Sequence, residues 1–197
     1  MRILAFSDMH HARARAEALV GESLDAELVI GAGDFCNHRE GLQEAMNLLG
    51  GIMVPMVVVP GNAESADELR DAAHLGTHVL HGEAIEIDGV SFFGLGYAVP
   101  ETPFGEWSCD LSEDQAADML GACEACDVLI LHSPPKGVAD ANAAGQSFGS
   151  VAIREAIERI QPQLAVCGHI HDSWRQEGMI GATRVVNLGP TGHWFEI

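Results

Sequence analysis

Five short apolar runs, each followed at once by a tight turn that carries Asp, Asn or His, constrain the fold of this chain more than any other feature of its sequence. The turns are Asp8-Met9-His10, Gly33-Asp34, Gly61-Asn62, His132 and Gly168-His169-Ile170-His171. Continuous apolar runs of this length are typical of strands that are buried on both faces of a sheet. The carboxyl ends of the strands form the ligand-binding crevice of an open α/β sheet, so we expect the five turns to meet there.

Helix-like and strand-like segments alternate along the chain. In the first half we predict strands at 2–6, 27–30 and 56–59, and helices at 12–20, 39–49 and 66–73. In the second half we predict strands at 79–80, 84–87, 90–93, 128–131 and 164–167, helices at 111–123 and 150–160, and glycine-separated strands from 174 to 197. This alternation is typical of an α/β fold. No repeat or linker interrupts it, so we predict a single domain over residues 1–197.

Composition and charge narrow the class of partner. The chain has 197 residues, of which 47% are hydrophobic, enough for a sizeable core. It carries 29 acidic against 10 basic residues, a formal net charge of −19. This charge disfavours duplex nucleic acid, because the phosphate backbone would be repelled. A small phosphorylated substrate remains compatible, because bound metal ions dominate the field in their own pocket.

The sequence also predicts the compartment. The N-terminal apolar run 3–6 is too short for the core of a signal peptide, and the run 52–59 is far below spanning length. The five cysteines, an odd number, fit reduced thiols better than a disulfide framework. We therefore expect a cytoplasmic protein without membrane contact. Cys123 and Cys126 form a C-x-x-C motif, and we expect two thiols packing at helical spacing rather than a redox or zinc pair.

The five turns together supply two carboxylates, one amide and four imidazoles. Oxygen and nitrogen ligands in this number suit two divalent metal ions and indicate metal-assisted hydrolysis. Taken singly, each turn is more often structural than functional. Five such turns at five strand ends are better explained by one shared metal site than by coincidence.

The order of the five turns resembles the calcineurin-like metallophosphoesterase superfamily, in particular its small bacterial and archaeal phosphodiesterase-like members. The resemblance extends from Asp8 to His171, nearly the whole chain, and Val186-Asn187-Leu188-Gly189 is similar to the Asn-Pro-Gly turn near the end of such members. It implies two packed mixed β-sheets flanked by helices, a four-layer α/β/β/α sandwich.

The resemblance also implies two metal sites that share one carboxylate. Asp8, His10, Asp34 and His171 would hold the first ion, and Asp34, Asn62, His132 and His169 the second, so that Asp34 bridges. Asn62 would also lie next to the substrate. Manganese is the favoured ion, with iron and zinc as the alternatives. Two ions about 3.5–4 Å apart would clamp a phosphoryl group, and a metal-bound hydroxide would attack phosphorus in line with the leaving oxygen.

One position departs from the family pattern. Many members continue Gly-Asn-His with an acidic residue, and that His is thought to assist the leaving group, whereas this chain has Gly61-Asn62-Ala63-Glu64. Alanine cannot donate a proton, so a poor alkoxide leaving group would depart slowly. We therefore predict a preference for phosphodiesters or for phosphomonoesters with acidic leaving groups. We expect Glu64 to begin a helix, where its charge suits the N-terminus.

Weaker candidates surround the predicted metal loops. His11, His38 and Arg39 could contact the substrate phosphate, and either histidine could replace the missing general acid; the alternative is that all three are exposed loop or helix-start residues. The loops 94–109 and 136–149 are expected to wall the pocket.

Two functions other than a phosphoesterase remain open. A non-catalytic interaction module on the same fold is compatible with the missing His, although a complete ligand set argues against it. A nuclease for short single strands is disfavoured by the charge of −19 and the lack of a basic run.

Overall fold

The computed structural model describes every residue from Met1 to Ile197 and contains eleven β-strands and five α-helices. The strands are β1 (Arg2–Phe6), β2 (Leu28–Gly31), β3 (Met56–Val58), β4 (Thr77–Val79), β5 (Glu83–Ile87), β6 (Val90–Leu95), β7 (Val128–Leu131), β8 (Leu164–Cys167), β9 (Glu177–Ile180), β10 (Thr183–Asn187) and β11 (His193–Glu196). The helices are α1 (Arg13–Glu22), α2 (Leu42–Leu48), α3 (Ala66–Ala72), α4 (Glu113–Gly121) and α5 (Val151–Ile160).

The strands form two mixed sheets. The first has the order β11-β1-β2-β3-β4, in which β11 is antiparallel and the other four strands are parallel. The second has the order β5-β6-β7-β8-β10-β9, with a parallel centre and an antiparallel strand at each edge. All five turns that carry the predicted metal ligands follow parallel strands. Their common position at one end of the sheets is a consequence of strand direction.

Successive side chains of a strand point to opposite faces of the sheet, and the buried side chains therefore form three separate cores. In β1, Leu4 and Phe6 pack against α1, α2 and α3, whereas Ile3 and Ala5 point to the opposite face. That opposite face packs against the second sheet, whose outer face is covered by α4 and α5. The predicted arrangement of two sheets flanked by helices is confirmed. No helix has the length and apolar character needed to cross a bilayer.

The predicted start of α2 and the position expected of Glu64 were wrong, whereas α3 begins at Ala66 as predicted. Helix α2 begins at Leu42 rather than at 39, because Arg39 (φ 64°) and Gly41 (φ 75°) adopt left-handed backbone conformations that a right-handed helix excludes. Glu64 does not begin a helix. Helix α3 starts at Ala66 behind a capping box formed by Ser65 and Glu68, which leaves the Glu64 carboxylate buried inside the molecule.

The C-x-x-C segment lies beyond a helix rather than inside one. Helix α4 ends at Gly121, and the Arg159 guanidinium donates to the carbonyls of Leu120 (2.9 Å) and Cys123 (2.7 Å). Because Arg159 satisfies these carbonyls, the chain can leave the helix and enter β7. Both thiols nevertheless pack with the core between the second sheet and its helices, so the expected packing is correct and the expected helical spacing is wrong.

Candidate metal centre

The predicted ligands converge at the carboxyl ends of the parallel strands. Asp34 lies between two histidines, with Oδ2 at 3.6 Å from His10 Nε2 and Oδ1 at 3.5 Å from His132 Nε2. His171 Nε2 is 3.7 Å from Asp8 Oδ1 and 3.2 Å from His10 Nε2. Two groups of donors, Asp8-His10-His171 and Asp8-Asp34-His132, each place their ligand atoms within 4.8 Å of one another.

The other two predicted ligands lie beside this cluster. The side-chain oxygen of Asn62 is 3.2 Å from His132 Nε2, while its amide nitrogen donates to Ser108 Oγ at 3.1 Å. The His169 ring lies with its centroid 5.0 Å from that of His132. The structure therefore brings all seven predicted ligands to one place. We call these seven side chains the cleft floor: Asp8, His10, Asp34, Asn62, His132, His169 and His171.

Four residues of the cleft floor have left-handed backbone conformations. They are Asp8 (φ 52°), His10 (φ 48°), Asp34 (φ 57°) and His169 (φ 65°). Such conformations cost about 1–3 kcal/mol each and are found where surrounding structure enforces a functional geometry. Backbone hydrogen bonds enforce it here, since Asp8 N–H donates to the Gly33 carbonyl and His10 N–H to the Asp34 carbonyl.

Glu64 joins two of the donor-bearing turns. Its carboxylate is fully buried and accepts hydrogen bonds from the backbone N–H groups of Gly61 (2.7 Å), Asp34 (2.8 Å), Phe35 (3.2 Å) and Cys36 (3.4 Å). Because one carboxylate accepts from N–H groups of both turns, it fixes the distance between the two turns. The sequence did not reveal this role, because an acidic residue after Gly-Asn carries no signal for partners about 30 positions away.

Two glycines allow these turns to approach closely. A Cβ atom at Gly61 would overlap Asp34 Oδ1, and one at Gly168 would lie 2.5 Å from Asp8 Oδ2. Neither glycine has a positive φ. These two positions therefore require glycine for the space that a missing side chain leaves for the carboxylates.

Asp8 and the last histidine turn are held by further residues. Asp8 accepts hydrogen bonds from the Ser7 hydroxyl, the Trp174 indole (3.1 Å) and the His169 backbone N–H (3.1 Å). The Asn187 side-chain amide donates to the carbonyls of Gly168 (3.0 Å) and Ile170 (3.4 Å). The sequence pointed to Asn187 through its family resemblance only, and Trp174 lay in a segment interpreted as plain strands.

The electrostatics of the cleft floor fit divalent cations. Burial raises the pKa of Asp34 to about 7, and the nearby Asp8 carboxylate adds to the rise. Burial acts on Asp8 in the same direction, but the facing His171 imidazole, with Nε2 at 3.7 Å, and the charge of His132 hold the pKa of Asp8 below its ordinary value. Burial lowers the pKa of His169 to about 3, which keeps that imidazole neutral as metal ligation requires. Two buried carboxylates that repel each other, beside the neutral His169 imidazole, form a set of donors that a divalent cation stabilises.

Residues 1–196 match the family model of the calcineurin-like phosphoesterase superfamily domain. The chain belongs to this superfamily. The UPF0046 protein K07C11.7 of Caenorhabditis elegans is 28% identical to it over 214 residues, which cover 95% of this chain and 69% of that protein. Superfamily members use a dinuclear metal centre, and residues able to bind metal are present here.

Solved structures show the same fold. The protein TT1561 of Thermus thermophilus is similar with a TM-score of 0.78 at 17% identity, covering 99% of this chain and 98% of that chain. A dimetal phosphatase from Danio rerio is similar with a TM-score of 0.62 at 11% identity, covering 96% and 88%. At these identities the likeness establishes the fold alone, and it supports the sandwich of two mixed sheets.

The weaker candidates lie outside the cleft above the superfamily's metal centre. The Arg39 guanidinium is paired with Glu68 at 2.8 Å and lines a separate depression beside α2 and α3. His38 packs its ring against Trp107, with centroids 4.4 Å apart. His11 is exposed, and neither histidine lines the cleft. The substrate and general-acid roles suggested for these three residues stay predictions that this geometry does not favour.

The cleft itself has two connected parts. A hollow of about 270 Å³ lies directly over the cleft floor and is bordered by Phe104 and Trp107. A larger hollow of about 430 Å³ continues from it past His169 and His171. Its border includes residues 99–104 and the side chains of Asn142 and Phe148, so the two loops that we expected to wall the pocket do so. We call residues 99–104, Trp107, Asn142 and Phe148 the cleft wall.

Proposed function

We propose that this chain is a dinuclear-metal-dependent phosphoesterase that hydrolyses phosphodiesters, or phosphomonoesters with acidic leaving groups. The observation that carries the proposal is the convergence of seven oxygen and nitrogen donors from five strand-end turns into one cluster. Strained backbone, buried carboxylates and a shared Glu64 anchor keep those donors together. Such an arrangement costs stability and is typical of a site with a chemical task.

The two carboxylate oxygens of Asp34 support a bridging role. Oδ2 faces His10 at 3.6 Å and Oδ1 faces His132 at 3.5 Å, so each oxygen lies next to a histidine that we assign to a different ion. We assign Asp8, His10, Asp34 and His171 to one ion and Asp34, Asn62, His132 and His169 to the other. Manganese suits this set, and iron or zinc would also be accepted. Bound there, the two ions would supply Lewis-acid stabilisation of the phosphoryl group and a nucleophile from water near neutral pH.

The residues around the cluster support a restriction on the leaving group. Ala63 is buried and directs its backbone N–H to Asp34 Oδ1 at 2.9 Å, so position 63 positions a ligand and offers no side-chain proton donor. The candidate acids His11 and His38 do not line the cleft. A leaving group that departs without protonation is therefore favoured. The substrate that we infer is a small phosphorylated molecule rather than duplex nucleic acid, in keeping with the charge of −19.

The five free cysteines support a reducing compartment, and we propose the cytoplasm as the site of the reaction. Three of them, Cys36, Cys123 and Cys167, are buried. Burial raises the pKa of the Cys36 and Cys167 thiols above their ordinary range, and each thiol donates to a backbone carbonyl, that of Ala63 and that of Val186 respectively.

The direct test is hydrolysis of bis(p-nitrophenyl) phosphate by the purified chain with added manganese, iron or zinc, measured beside p-nitrophenyl phosphate. We expect metal-dependent turnover, with the diester preferred. Turnover of the monoester alone would overturn the inference from Ala63. No turnover with any of these ions, together with no bound metal, would overturn the enzyme and favour the interaction module.

A further inference from the structure

The larger hollow of the cleft is lined by apolar surface that the metal chemistry does not require. Its border includes Val99, Ile170 and two phenylalanines, Phe104 and Phe148, each of which is 50% exposed. The two phenylalanines come from different loops and border the same hollow. Exposed aromatic rings that border one concave site indicate a binding surface, since leaving them in water is unfavourable.

This hollow is continuous with the space over the cleft floor. Phe104, His169, Ile170 and His171 border both parts. A phosphate ester held at the metal ions would therefore extend its organic group into the larger hollow. A volume of about 430 Å³ falls in the range of small-molecule sites.

The surface of the cleft wall is both planar and supported. The Phe104 ring stacks on Trp107 with centroids 5.5 Å apart and an interplanar angle of 6°. Trp107 in turn packs against the His38 ring at 4.4 Å. Rings supported in this way present a flat face, and flat aromatic faces bind other planar rings by offset or edge contacts.

The charged residues at the border of the larger hollow disfavour a polyanion. Glu101 and Asp172 border the larger hollow, and no Lys or Arg does. The Asp172 carboxylate accepts a hydrogen bond from the Ala143 N–H at 2.8 Å, which fixes it at the rim. A second phosphate or a carboxylate on the organic group would meet like charge there.

From this surface we infer that the larger hollow binds a neutral aromatic ring carried by the phosphate ester, with Phe104 and Phe148 as its contacts. The inference rests on the proposed function and narrows it. The substrate class becomes organic phosphate esters with a neutral aromatic substituent, and polyphosphates and oligonucleotides are disfavoured.

The test uses non-hydrolysable phosphonates that differ only in the organic group, titrated calorimetrically into the manganese-loaded chain. We expect phenylphosphonate to bind about tenfold more tightly than methylphosphonate. Cyclohexylphosphonate should bind more weakly than phenylphosphonate, because its ring is not planar, and 4-carboxyphenylphosphonate should bind more weakly because of its charge. Equal binding of the cyclohexyl and phenyl compounds would overturn the aromatic specificity.

Variants assign the effect to the two rings. Phe148→Ala and Phe104→Ala should each reduce the phenyl-to-methyl affinity ratio toward one, and Phe148→Leu should recover part of it. Leu75→Ala, at a fully exposed residue away from the cleft, is the matched control and should keep the full ratio.

The outcomes separate this inference from the proposed function. If the diester is hydrolysed but phenylphosphonate has no advantage, or the Phe variants keep it, the inference is overturned and the phosphoesterase stands. If no phosphonate binds and no ester is hydrolysed, both are overturned.

Discussion

The cleft floor and the cleft wall are built in opposite ways. Floor residues such as Asp8, Asp34 and His132 are buried. Backbone N–H groups of other turns donate to the two carboxylates, and His132 Nδ1 donates to the Ala32 carbonyl. Wall residues such as Phe104 and Phe148 keep half of their surface in solvent, and Phe104 is supported by its stack on Trp107. The difference teaches that metal binding and stability belong to the floor, whereas selectivity for the organic group can vary at the wall without disturbing the metals.

The largest expected effect is the loss of activity when Asp34, the ligand that the two ions would share, is replaced. Asp34→Asn keeps an oxygen for the Ala63 N–H but removes the charge that two ions would share. We expect activity to fall about a thousandfold, equivalent to about 4 kcal/mol of transition-state stabilisation, with lower metal content and an unchanged circular dichroism spectrum. Full activity in this variant would refute the bridging role.

The next effect separates positioning from ligation. Glu64→Gln replaces one of two acceptor oxygens by an N–H₂ group facing backbone N–H donors of Gly61 and Asp34. We expect the free energy of unfolding to fall by about 3 kcal/mol, seen as a lower urea midpoint, together with weaker metal binding. Glu17→Gln, on the exposed face of α1, is the control and should change stability by less than about 0.5 kcal/mol. An unchanged midpoint for Glu64→Gln would show that the floor does not depend on this anchor.

A smaller effect concerns the base of the wall, where His81 Nδ1 accepts from the Gly96 N–H and the ring packs on Tyr97. Burial and the charge of Arg70 lower the pKa of His81 to about 4, against the opposite influence of Glu83 and Asp67. The unfolded chain binds a proton below about pH 6.5 while the folded chain does not until about pH 4, so stability falls as the pH falls through this window.

The measurement for His81 is the melting temperature of the wild type and of His81→Asn between about pH 7 and about pH 4.5. The Asn side-chain oxygen can accept from the Gly96 N–H but does not titrate. We expect a shallower loss of stability with acid in the variant. Parallel curves for the two proteins would assign the acid sensitivity to other groups.

The smallest expected effect is that of a wall substitution on metal binding and stability. If the cleft wall is independent of the cleft floor, this effect should be near zero. Phe104→Ala removes a half-exposed wall ring, so the bound metal and the melting temperature should match the wild type within error. Elemental analysis and calorimetry check both quantities. A clear loss of metal in this variant would show that the wall supports the floor and would remove the distinction between them.

Most of the floor could be predicted from the sequence, because parallel strands bring their carboxyl ends to one edge whatever the distance along the chain. The supporting residues could not. Glu64 looked like a helix-start charge, since nothing local reveals partners in the turn that contains Asp34. Arg39 looked like a phosphate ligand, and its pairing with Glu68 depends on how α3 packs beside the second turn. The wall rings lay in loops without periodicity, so their convergence on one hollow required the tertiary structure.

The central claim, a dinuclear centre formed by the cleft floor, is tested most directly by the metal stoichiometry of the wild-type chain. The measurement is elemental analysis of protein that has been loaded with manganese and freed of unbound ions by gel filtration. The account predicts two ions per chain. A folded chain that retains one ion or none would contradict it.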